Sequence, residues 1–255
     1  MTRPTIDWRK SLNDGLTTDS LWVSMHQKNG KFAIPERTLF DDYKSDFHGL
    51  FIPEIPYQFI KRYLQPDAWI WDLFAGSGTT GYVTKKLNIE RIVLSDLNPI
   101  SPSILAGDAE RFDPEVYSHQ KISLTFVHPP YFDIVKYSSH PEDLSNSNLL
   151  DEYYDKMYRI AQNIYRHSAT DSHAILVCGN IWKDGEEIDL GVFVKEQFRR
   201  AGFKSRSHIV KDYGETKGST FGKGYHLQYY RNLKNDTNFF YGDNIFILKK
   251  EDKTE

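Results

Sequence analysis

The sequence holds a single cysteine, Cys178, so no disulfide can close within the chain. That suits a reducing compartment, and the expectation is a cytoplasmic protein. Cys178 ends the apolar run AILVC at 174–178, which marks it as a small buried strand residue and not as a nucleophile. Long hydrophobic runs are missing as well. No stretch approaches the roughly 18 apolar residues of a membrane span, and residues 1–10 are polar, without the apolar centre of an export signal. An excess of one charge is also missing. The net charge is −3 and the pI near 6.3, so the totals do not declare a polyanion binder, although they can hide local patches. No Cys, His, Asp and Glu fall at metal-ligand spacing, and no internal repeat is visible.

Aromatic residues are plentiful. Phe and Tyr number 16 each, enough to fill a core and still leave flat surfaces for a flat ligand. The 255 residues suit one large α/β domain, or one domain with a small appendage. Residues 1–31 read as turns and loose structure with a short helix around 19–27, and Trp8 and Trp22 suggest that it packs on something. A helix is expected over 57–64, a buried strand over 68–74, a helix to 87 and a strand over 90–97. A short strand end follows at Gly107-Asp108-Ala109. Residues 122–127 form the next strand, and 149–167 a strong amphipathic helix with Leu150, Tyr153, Met157, Ile160 and Ile164 on one stripe. Strands at 173–179, 203–211 and 244–249 and a helix at 191–201 complete the pattern. Strands alternating with helices predict an α/β fold, three layers around a mostly parallel sheet.

Two places look chemical. The first strand ends in Asp72 and runs into LFAGSGTT, where Gly76 and Gly78 let backbone approach a ligand at a helix start. Asp96 ends the next strand, at a spacing that suits an acid on two ribose hydroxyls. Asp108 ends the third and could face an adenine edge. A lone Gly-x-Gly would be only a tight turn. Strand, glycines, helix, strand and acid in register point to a nucleoside cofactor. The third glycine of the dinucleotide pattern is missing, which disfavours NAD.

The second place is ISLTFVHPPY at 122–131. A strand that meets two prolines leaves the sheet, because proline supplies no N–H to the ladder. His128 can accept a hydrogen bond when neutral, Pro129 offers a carbonyl, and Tyr131 a flat ring. The bland alternative is a structural histidine beside a strand stop.

DLFAGSGTT at 72–80, SDLNP at 95–99, GDA at 107–109 and HPPY at 128–131 resemble the DNA amino-methyltransferases. The resemblance covers about residues 47–249. It implies a Rossmann-like class I fold and S-adenosyl-L-methionine as cofactor, held by Phe51, Asp72, Phe74, Ala75, Gly76, Gly78, Thr79, Asp96, Leu97, Asp108 and Ala109. It implies methylation of adenine N6 or cytosine N4 on a base flipped from double-stranded DNA, within restriction-modification. His128, Pro129, Pro130 and Tyr131 would be catalytic. His128 and the Pro129 carbonyl would draw on the amino N–H bonds, and the Tyr131 ring, rather than its hydroxyl, would stack on the base. No metal and no membrane are implied, and a specificity or nuclease partner is compatible. The family has Asp, Asn or Ser where this chain has His128, which leaves both bases open. An RNA base methyltransferase and a cofactor-binding but inactive partner subunit are the rival readings.

Residues 195–234 are the one strongly basic region, with tyrosines interleaved. Lys211, Lys217, Lys223, Tyr225 and Arg231 are the candidate nucleic-acid contacts. A solvated helix face followed by a loose loop would look the same. The expected organisation is an N-terminal extension at 1–46, a methyltransferase domain at 47–249 with a small recognition insert at about 211–243, and a tail at 250–255.

Overall fold

The structure, a computed structural model, describes residues 52–212 and 242–251, together with Leu16, residues 20–22, Phe40, Asp42, Tyr43 and Lys234. The elements are, in order, β1 (Leu21–Trp22), α1 (Glu54–Tyr63), β2 (Trp69–Asp72), α2 (Thr79–Lys86), β3 (Ile92–Asp96), β4 (Leu105–Ala106), α3 (Glu115–Ser118) and β5 (Ile122–Val127). They continue with α4 (Leu150–His167), β6 (Ser168–Cys178), β7 (Ile181–Lys183), β8 (Glu186–Ile188), α5 (Leu190–Arg200), β9 (Lys204–Asp212) and β10 (Gly242–Lys249).

The eight-stranded sheet has the order β1-β9-β10-β6-β5-β2-β3-β4. Every neighbouring pair is parallel except those of β10, which runs antiparallel to both β6 and β9. From β2 the chain winds outward through β3 to β4, then returns to place β5 on the other side of β2. The strand order therefore reverses between β2 and β5, and a crevice opens there beyond the carboxyl ends. This is the mostly parallel α/β sheet expected from the alternation of elements, in the Rossmann-like form that the resemblance implies.

Successive residues of the central strands point to opposite faces and fill two cores. Trp71, Val127, Ala174, Leu176 and Cys178 face α4 and α5, meeting Tyr153, Met157, Ile160, Val194 and Phe198. Ile70, Leu124, Ile175 and Val177 face α1 and α2, meeting Ile55, Phe59, Ile60 and Val83. The central strands are buried on both sides, so they read as unbroken apolar runs instead of alternating ones.

Two features depart from expectation, and the expected packing of Trp22 is found. Residues 21–22 form a parallel edge strand against Val210 and Lys211, not part of a helix, because extended backbone can take the unpaired edge of β9. Trp22 is buried and stacks on Phe59 at 5.7 Å, and Phe40 packs edge-on to Tyr57 and Tyr82, so these parts of the extension belong to the core. The β7–β8 hairpin has no counterpart among the expected elements. Its turn is Asp184-Gly185, with φ of 53° and 84°, the pair of left-handed residues that a tight two-residue turn needs. Among the described residues no helix is long and apolar enough to cross a membrane.

Gly191 lets α5 close onto β6. A Cβ there would stand 2.4 Å from the Cys178 carbonyl oxygen and 3.2 Å from the Phe246 ring. Gly191→Ala should therefore destabilise the fold by about 1–3 kcal/mol. Urea denaturation measures this, and an unchanged midpoint would contradict the packing.

Candidate cofactor and acceptor site

Asp72, at the end of β2, is buried and accepts from Thr80 Oγ1 at 2.5 Å and from the Phe74 N–H at 3.2 Å. One carboxyl group thus ties the strand end to the first turn of α2. Between them Gly76 and Gly78 take φ of 49° and 85°, conformations that an L side chain rarely adopts. Asp96 holds the loop from β3: its Oδ2 accepts from the Gly76 N–H at 2.8 Å and its Oδ1 from the Asn98 N–H at 2.9 Å. The Ala75 N–H donates to the carbonyl of Ser95, and the Gly107 N–H to the carbonyl of Asp96, so three strand ends are stitched together.

Burial is the main reason that the Asp72 carboxyl is pushed up to about 7, with the nearby Asp96 charge adding a little. The hydrogen bonds from Thr80 and Phe74 act the other way and do not overcome it. On the outside of the loop, Tyr43 Oη lies 2.6 Å from Thr79 Oγ1 and 3.2 Å from Ser77 Oγ. Asp42 beside it accepts from the Tyr82 hydroxyl and from Lys86.

β5 ends one strand away, in the turn His128-Pro129-Pro130-Tyr131. The Pro130 carbonyl accepts from Tyr153 Oη at 2.8 Å and from the Phe132 N–H at 3.0 Å. Phe132 is buried with φ 53°, a strained position for an aromatic residue. Tyr153 packs edge-on to its ring, and Lys183, itself paired with Asp133, sits over it. Tyr131 Oη donates to Asp243 Oδ1 at 2.7 Å and lies 3.2 Å from His128 Nε2. The Tyr131 ring rests against Gly179, where a Cβ would come within 3.0 Å of it. Burial pushes the half-buried His128 imidazole below its ordinary range; Asp243 opposes that push and Lys211 adds to it.

No family model matches the chain, and no curated protein matches it either. Among solved structures it is similar to the [4+2]-cyclase SpnF, at 13% identity over 78% of this chain and 81% of that one, with a TM-score of 0.48. It is similar to TrmN from Thermus thermophilus, at 13% identity over 78% of this chain and 48% of that one, with a TM-score of 0.46. A third is TTHA0409, also from Thermus thermophilus, a candidate DNA modification methylase complexed with S-adenosyl-L-methionine. There the identity is 17% over 58% of this chain and 55% of that one, with a TM-score of 0.36. The chain thus spans about half the length of the last two. Likenesses this distant carry no argument about ligand or reaction.

The structure brings Asp72, Phe74, Ala75, Gly76, Gly78, Thr79, Asp96 and Leu97 to one sheet edge beside His128, Pro129, Pro130 and Tyr131. Asp108 joins them beyond β4, with its carboxylate engaged by Arg111 Nε at 2.9 Å and by the Glu110 N–H at 3.0 Å. Ala109 is buried, its carbonyl accepting from Asn163. Phe51, Lys217, Lys223, Tyr225 and Arg231 lie outside the described residues. Lys211 is buried in β9, opposite Asp243 in the register, beside the acceptor turn and not on an open phosphate-facing surface.

Sequence reasoning misses Tyr43, Tyr153 and Asp243. Each reaches the site across a long gap in sequence, and Tyr153 reads only as part of an apolar stripe. The mostly polar stretch 133–148 after Tyr131 is tied together by side-chain hydrogen bonds. Buried Asp143 accepts from Ser145 N, Ser145 Oγ and Ser138 Oγ within 2.8 Å, which makes it a bonded scaffold. Asp113, Glu115 and His167 bring one ligand atom each within 4.8 Å, a grouping that spacing in sequence hides; Lys121 Nζ already lies 2.6 Å from Glu115 Oε1.

Asp72 links stability to pH. Its folded pKa lies above the unfolded value of about 3.9, so it costs nothing below that value, where both states hold the proton. The cost grows as pH rises towards 7 and is complete above it, on the order of 4 kcal/mol. Asp72→Asn should therefore be more stable than the wild type at about pH 8, with the difference vanishing near pH 4. Urea denaturation without cofactor at both values checks the sign, and a destabilised variant at the higher pH would contradict it.

Proposed function

We propose that the chain is an S-adenosyl-L-methionine-dependent DNA amino-methyltransferase, acting on adenine N6 or cytosine N4 of a base turned out of the duplex. One observation carries the reading. β2 and β5 are hydrogen-bonded neighbours, with Asp72 opposite Phe126, so the glycine loop and the His-Pro-Pro-Tyr turn leave the same edge of the sheet side by side. Neighbouring strands lie about 4.8 Å apart, which places a ligand in the loop next to a ligand on the turn.

The cofactor fits the residues present. The loop at 73–81 has no Lys or Arg to hold a phosphate, while Asp72 and Asp96 end β2 and β3 and Asp108 follows two residues beyond the neighbouring β4. An acid-rich, phosphate-free cradle suits a cationic nucleoside better than a dinucleotide. Asp96 would take the ribose hydroxyls on the lone pairs that its two backbone N–H contacts leave, and Gly76 and Gly78 would allow close approach. Bound there, the cofactor supplies an electrophilic methyl group on a sulfonium.

The turn deals with a poor nucleophile. An exocyclic amino nitrogen shares its lone pair with the ring, and acceptors on its two N–H bonds return that pair to nitrogen. Pro130's carbonyl is committed to Tyr153 and Phe132, so His128 and the carbonyl of Pro129 are the acceptors assigned here. A neutral His128 can accept, and its lowered pKa keeps it neutral. The amino group gains the methyl and gives up one proton, which leaves to solvent.

The test is to incubate the purified chain with methyl-labelled cofactor and either duplex DNA or RNA, then digest each to nucleosides. N6-methyladenine or N4-methylcytosine is expected. Label on RNA alone, or on neither polymer, would refute the reading. The cofactor assignment has its own test. Asp96→Ala should weaken S-adenosyl-L-methionine binding about 10- to 150-fold, the loss of a charge-assisted hydrogen-bonded pair. Calorimetry measures this, and unchanged affinity would sink the role of Asp96.

A further inference from the structure

We propose that Asp243 is a positioning residue for the acceptor site: it holds the Tyr131 hydroxyl and, through it, fixes which nitrogen of His128 carries the proton. The kinetic consequences rest on the amino-methyl transfer proposed above; the structural ones do not.

The argument is a count of protons. Tyr131 Oη has one, and the 2.7 Å contact with Asp243 Oδ1 takes it, because a carboxylate only accepts. The 3.2 Å contact between the same oxygen and His128 Nε2 then needs its proton from the imidazole. A neutral His128 is therefore the Nε2–H tautomer, with its lone pair on Nδ1. The opposite arrangement would set a buried carboxylate oxygen against a phenol lone pair.

The surroundings resist drift. Asp243 and Lys211 are 4% and 5% exposed and stand opposite each other in the register of β9 and β10. The Tyr131 ring packs closely over Gly179, just past β6, where any Cβ would come within 3.0 Å of it. Among the described residues, Asp243 from β10, Lys211 from β9 and Tyr131 from the turn itself bear on the imidazole. Cys178 of β6, which feels Asp243, has its thiol pushed up by burial and stays uncharged. The Tyr131 hydroxyl thus has a role that stacking alone would not give it.

The experiment combines nitrogen NMR of the full chain with single-turnover methylation of DNA, on wild type, Asp243→Asn, Asp243→Ala and Tyr131→Phe. Wild-type His128 should show its proton on Nε2 at neutral pH. Asp243→Asn keeps an acceptor for Tyr131 and should keep that tautomer. Asp243→Ala and Tyr131→Phe should raise the Nδ1–H population. Methylation by those two should fall about 10- to 100-fold at saturating cofactor, as for other lost outer-layer partners, while cofactor affinity holds within about twofold. The wild-type rate should fall on acidification below about pH 6.5, and the fall should move to lower pH in Asp243→Asn, which lacks the charge that favours imidazolium.

Should Asp243→Ala fail to fold, Tyr131→Phe and Asp243→Asn carry the same comparison. A wild-type proton on Nδ1, or a Tyr131→Phe variant with wild-type tautomer and rate, overturns the proposal. Nε2–H in a chain that methylates no nucleic acid upholds the positioning and overturns the amino-methyl reading instead.

Discussion

Pro129 and Pro130 have no amide hydrogen to give, so β5 cannot carry its ladder past Val127, and the chain must turn out of the sheet there. Because β5 is buried in mid-sheet, the turn emerges at the switch point and not at a rim. The groups around it tie that turn in place through hydrogen bonds and packing. Tyr153, from the helix below, occupies the carbonyl of Pro130, and the left-handed Phe132 sends the chain away over Lys183. The strain at Phe132 is stored where a ligand would benefit from a fixed acceptor geometry.

The same edge gathers carboxyl groups, with no phosphate-binding cation in the glycine loop. Asp72 is too deep to ionise freely at neutral pH, whereas Asp96 has both oxygens engaged by backbone N–H groups and sits nearer solvent. Two neighbouring acids thus play different parts. Asp72 ties strand to helix from within, and Asp96 holds the loop and faces outward. On the acceptor side a carboxylate and a lysine, buried on facing rungs, bracket the tyrosine and the histidine. Buried ions of this kind are costly unless they are matched by partners, and one partner of Asp243 is the Tyr131 hydroxyl of the turn.

Much of this is legible in the sequence, because it is local. The glycines after Asp72, the acid at Asp96 and the two prolines act over a few residues, and each forces its backbone whatever the rest of the chain does. The amphipathic stripe expected over 149–167 is α4 at Leu150–His167, since a sustained apolar period of this kind has one packing solution. The Asp184-Gly185 hairpin is equally local, and its Asp-Gly pair is the signal from which it could have been expected. The rest is non-local. Asp243 lies 112 residues from Tyr131, and Tyr43 lies 36 from Thr79; neither pair leaves a period or a motif. Lys211 looks like a phosphate contact in a basic stretch, and only the antiparallel register of β10 turns it inward.

The central claim is that the loop after β2 and the turn after β5 form one site. A crystal structure of the chain with S-adenosylhomocysteine tests it most directly. The account predicts ribose hydroxyls on Asp96 and the sulfur turned towards His128 and the Pro129 carbonyl. A nucleoside bound elsewhere, or a sulfur facing away from that turn, would contradict it.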